Sequence, residues 1–161
     1  LKSLVIGLSK STNAQGSTAQ KIGTLYKLGM DSAACDRQGA EPIQQELKKI
    51  NSIRNLTEIG PEAAQLSLYA SNPFMGIFGE ASPINSDLQM LYVQQGGLGM
   101  GDRDYYVDPK NAELHKGYQE MLAKLCGLAG VADPEQTAAN AVAVEDALAG
   151  FSWSSVECRD I

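Results

Sequence analysis

One histidine, three cysteines and one tryptophan are a thin supply of the side chains that build metal centres and nucleophilic sites. A zinc peptidase helix needs two histidines at i and i+4 with a glutamate base, and His115 alone cannot provide that. No serine–histidine–acid or cysteine–histidine arrangement can be argued around His115, since nothing fixes its neighbours, and on the polar side of its helix it reads as solvent-exposed. Cys35, Cys126 and Cys158 lie far apart without a C-x-x-C pair, and their odd number excludes a fully paired intrachain framework. One bridge stays open, and Cys126 reads as a small hydrophobe on a buried helix face. No apolar run approaches the roughly 20 residues of a membrane helix. Basic charge is short as well. Thirteen Lys and Arg against nineteen Asp and Glu leave a formal charge of -6, which argues against a nucleic-acid or anionic-membrane partner held by electrostatics. The chain begins at Leu1 and stops at Arg159-Asp160-Ile161. Both ends read as cut, so missing targeting signals say nothing about the parent.

What is present suits one ordinary globular domain: 161 residues, 43% hydrophobic and 20% charged. The fold class is mainly α, multi-helical with one small β-hairpin at about residues 74–95. Leu1, Leu4, Val5 and Leu8 trace one face of a first helix. Ser17-x-x-Gln20 is a capping box opening a helix that carries Ile22, Leu25 and Tyr26 inward to Gly29. Residues 31–39 read as a connector, and Pro42 as the first residue of a helix with Ile43, Leu47 and Ile50 on its apolar stripe. Asn55-x-x-Glu58 is a second cap, and Pro61 restarts a helix carrying Leu66, Tyr69 and Ala70. Asn55-Leu56-Thr57 also matches a glycosylation sequon, against which the capping role is preferred. Phe74–Ala81 and Leu88–Gln95, separated by Ser82-Pro83-Ile84-Asn85-Ser86, form the hairpin signature. Asp108-Pro109 starts a long helix with Leu114, Tyr118, Met121, Leu122, Leu125 and Leu128 in helical register. Asp133-Pro134-x-Gln136 starts an alanine-rich helix including Ala138, Ala141, Val142 and Ala149, and Ser152 caps a last one.

Between the hairpin and the long helix lies Gln94-Gln95-Gly96-Gly97-Leu98-Gly99-Met100-Gly101-Asp102-Arg103-Asp104-Tyr105-Tyr106. Glycine this dense marks backbone at positive φ or in close approach to something. A phosphate cradle fails, because Asp102 stands where G-x-G-x-x-G needs its last glycine and two aspartates would repel an anion. The segment reads instead as a structural crossing. Gly97 and Gly99 allow the turn, Asp102, Arg103 and Asp104 pin it as an ion-pair cluster, and Tyr105 and Tyr106 anchor it in the core. Glu145, Asp146 and Glu157 read as solvated helix-surface carboxylates. No catalytic, cofactor-binding or metal-ligating residue is assigned within residues 1–161.

Three separated pieces carry a resemblance. Gly97-Leu98-Gly99-Met100-Gly101-Asp102-Arg103-Asp104-Tyr105-Tyr106 resembles the "GLGLPDRDYY" segment of the neprilysin family of zinc metallopeptidases. Gly16-Ser17-x-x-Gln20-Lys21 through Tyr26-x-x-Gly29-Met30-Asp31, with Gly39-x-x-Pro42, resembles the opening of its N-terminal region. Val144-Glu145 through Leu148-Ala149, then Val156-Glu157-Cys158-Arg159-Asp160, resembles its "E…LA…VELRD" stretch. The resemblance implies that residues 1–161 are a single piece of the helical N-terminal lobe, which caps a cleft. The zinc, bound by an HExxH helix and a further glutamate, would belong to a C-terminal catalytic lobe absent from this chain. It implies peptide substrates for the parent, no zinc bound by this piece, and the family's substrate-contacting arginines placed before Leu1. Scattered cysteines resemble the bacterial, exported branch, so the parent is expected outside the cytoplasm. Gly101, where the family usually has proline, is a departure expected to loosen the turn. The alternative from another class is a stand-alone helical module that binds protein or peptide without enzymatic activity.

Overall fold

Where capping chemistry was strong, helices begin as the spacing predicts. The structure, a computed structural model, describes residues 1–69 and 71–159. Its helices are α1 (Lys2–Lys10), α2 (Thr18–Gly29), α3 (Ser32–Gln38), α4 (Gln44–Ser52), α5 (Leu56–Ser67), α6 (Asp104–Val107), α7 (Ala112–Leu128) and α8 (Pro134–Phe151). Two antiparallel strands, β1 (Met75–Ala81) and β2 (Gln89–Gln95), complete a mainly α fold with one hairpin. No helix of the described residues is long and apolar enough to cross a membrane. The chain divides into two compact units, Leu1–Pro42 and Ile43–Ile161.

In the first unit, Ser17 Oγ accepts the Gln20 N–H at 3.1 Å, while the Gln20 side chain reaches back to accept Gly16 N–H at 3.3 Å. This is the reciprocal capping box, displaced by one residue. α2 does not turn Ile22 and Leu25 inward as the apolar spacing suggests; both are exposed, and Gly23 is the buried residue. A Cβ at Gly23 would meet the Leu8 carbonyl carbon at 2.9 Å, so α1 and α2 pack backbone to backbone through the one position without a side chain. Residues 32–38, expected as a connector, are a helix. Asp31 Oδ1 caps it by accepting Ala34 N–H at 2.9 Å, and Gly39 ends it at φ +51°.

Pro42, the last residue of the first unit, lies in a 3-10 turn (residues 41–43), and the second unit runs from Ile43 into α4. Asn55 caps α5 as expected, and Glu58 accepts the Arg54 N–H at 2.7 Å. Pro61 restarts nothing: it lies inside a continuous α5 as its sixth residue, past the first turn, where the helix forgoes one i→i−4 bond. Tyr69 is exposed, and Ala70 lies outside the described residues. The hairpin pairs Met75 with Gln95, Ile77 with Val93 and Ala81 with Gln89. Its turn is built on the buried Ser82, whose hydroxyl accepts N–H groups of Ile84 and Asn85. Asp108 caps a 3-10 turn (residues 109–111) rather than α7 directly. Asp133 sits at φ +48° and makes no cap bond, so Pro134 alone keeps the expected start of α8. Near the end the capping role belongs not to Ser152 but to Ser154, whose hydroxyl and N–H both bond Glu157 Oε2 at 2.7 Å. The apolar core is small and lies on α8, at Ala138, Val142 and Ala149.

Candidate functional site

The glycine segment leaves β2 with one more ladder bond, from Gly96 N–H to Phe74 O at 3.2 Å. Gly97 then takes φ +82°, and a Cβ there would run into the Pro73 carbonyl and lie 3.1 Å from Leu148 Cδ1. Gly99 has no room for another reason: its Cβ would fall on the Tyr118 hydroxyl. Leu98 O accepts the Gly101 N–H at 2.9 Å, closing a turn with Gly101 at φ +90°. Proline, fixed near φ −65°, cannot take that conformation. Gly101 therefore holds a turn that proline could not adopt.

Asp102, Arg103 and Asp104 start α6. Asp102 Oδ1 accepts Asp104 N–H at 2.9 Å, and Arg103 meets Asp104 at 3.5 Å in a surface ion pair of little energetic weight. Arg103 Nε is buried without a hydrogen-bond partner. Asn111 Nδ2 holds the Asp104 carbonyl at 2.9 Å, tying α6 to the turn that follows. α6 separates the two tyrosines. Tyr105, expected in the core, is 42% exposed. Tyr106 turns inward, accepting Met100 N–H at 3.0 Å and donating through a short hydrogen bond to Glu145 Oε2.

Glu145 is the residue that sequence reasoning misplaced. It is half-buried on α8 rather than solvated, and it receives three donors: the Tyr106 hydroxyl, the Tyr118 hydroxyl at 3.0 Å and the Gly99 N–H at 3.2 Å. Hydrogen bonds to an ionised acceptor are roughly twice as strong as neutral ones. One carboxylate therefore joins α6, α7 and α8 to the glycine segment. Burial, and then the bond to Glu145, push the Tyr118 phenol up to about 12 and lift Tyr106 well above the ordinary range. His115 departs from expectation too. Its side chain is 24% exposed, its Nε2 lies 2.7 Å from Asp146 Oδ1, and its ring stands edge-on to Tyr106 with centroids 5.7 Å apart. The only signal for this cluster was that Tyr106, Tyr118, Glu145 and Asp146 all lie beside helix residues that must face one another.

Chemically the arrangement holds a turn. His115 and Asp146 form half of a nucleophilic constellation, but the ring faces Tyr106, whose hydroxyl is committed to Glu145. Glu157 caps the last turn, with its carboxyl held below the usual range by bonds from Ser154. The three cysteines are free thiols. Cys126, expected buried, is only partly so. Among the described residues no group of three or more His, Cys, Asp or Glu could hold a metal ion. The signature's Asp160 lies outside the described residues.

The sequence profile of Peptidase family M13 matches residues 1–161. Endothelin-converting enzyme 1 of Cavia porcellus is 26% identical over 95% of this chain and 22% of its own length. The Homo sapiens enzyme is 26% identical over 80% of this chain and 18% of its own. Two structures of the Mycobacterium tuberculosis zinc metalloprotease ZMP1, one open and one with an inhibitor, align at 30% identity over 99% of this chain and 25% of theirs, with TM-scores of 0.87 and 0.88. A long, mainly helical piece with this glycine–tyrosine signature is thereby placed among the metallopeptidases: the chain belongs to peptidase family M13, within its N-terminal region. It spans a quarter or less of the length of these relatives.

Proposed function

We propose that this chain is the non-catalytic, cleft-capping part of a zinc-dependent metalloendopeptidase that hydrolyses small peptides. The observation that carries the reading is the M13 match along all of residues 1–161, with alignment to only a quarter of the ZMP1 zinc metalloprotease. The described residues do not fit a zinc ion, so no step of peptide hydrolysis is assigned to them. The metal and its activated water belong to a C-terminal catalytic lobe, the chain's main partner. The present chain, as part of the N-terminal lobe, restricts which peptides enter and encloses the reacting centre. In this reading residues 97, 99 and 102–106 are a scaffold signature, and the parent is a bacterial, exported enzyme acting outside the cytoplasm.

Reading the gene past Ile161 tests the proposal. It requires an HExxH motif and a downstream glutamate ligand in the same reading frame. A stop codon shortly after Ile161 would contradict it and favour a stand-alone binding module.

A further inference from the structure

We draw no further inference here: the strongest candidate, the recess between the glycine segment and the turn after α8 lined by Arg103, Trp153, Cys158 and Arg159, pairs Arg103 with Asp104 and keeps Asp102 on its wall, and nothing in the structure shows what covers it.

Discussion

The hairpin and the Glu145 cluster adjoin in sequence through the glycine segment, and they are held in opposite ways. In the hairpin, Ile77, Leu91 and Val93 project from one face and Phe78 stacks on Tyr92 across the other at 5.6 Å, yet most of these side chains stay exposed. A two-stranded hairpin with both faces wet is marginal by itself. The Glu145 cluster buries little apolar area but directs three donors onto one carboxylate. Much of the apolar surface of this chain stays exposed, whereas the Glu145 carboxylate receives donors from three separate elements.

The largest expected effect lies where the two regions join. Gly97→Ala adds a Cβ at positive φ and against the Pro73 carbonyl. It should cost about 3 kcal/mol in urea unfolding, combining left-handed strain with overpacking. A cost below about 1 kcal/mol would mean that the crossing yields easily.

The next effect belongs to the cluster alone. Both clustered phenols have folded values raised above the unfolded value of about 10. Their contribution is therefore fully present below pH 10 and is lost as pH rises towards about 12, where Tyr118 ionises in the folded state. Stability should fall across that window, and phenolate absorbance should show two of the six tyrosines titrating late. Simultaneous ionisation of all six near pH 10 would remove the hydrogen-bonded cluster from the account.

The smallest effect should come from the hairpin. Ile77→Ser and Leu91→Ser each remove exposed apolar surface and should change stability by no more than about 0.5 kcal/mol in this chain. Losses of 2 kcal/mol or more would be typical of a buried core position and would erase the contrast between the two regions.

Much of the fold was legible because local rules decide it. Ser17 with Gln20, Asn55 with Glu58 and the turn residues of the hairpin act within a few positions, and the structure uses them as spacing predicts. Less legible were the short helices α3 and α6, which are too brief to show a period: Asp31 caps α3, and Asp102 accepts the first N–H of α6. Continuity through Pro61 was hidden because a proline in the early turns of a helix looks like a new start. The role of Glu145 could not be read locally at all. Its donors lie 27, 39 and 46 residues away, and a carboxylate on a helix has no sequence mark separating solvation from burial. Glycine density pointed to the right segment, but only the tertiary neighbours explain it: Pro73 behind Gly97, and Tyr118 behind Gly99.

The central claim is that one carboxylate locks the glycine segment to the helices. A double-mutant cycle with Tyr118→Phe and Glu145→Gln, read by urea unfolding of the 161-residue chain, tests it most directly. The account predicts a coupling of about 1–2 kcal/mol between the two positions. Effects that simply add, within about 0.5 kcal/mol, would show that Tyr118 and Glu145 act independently and would contradict it.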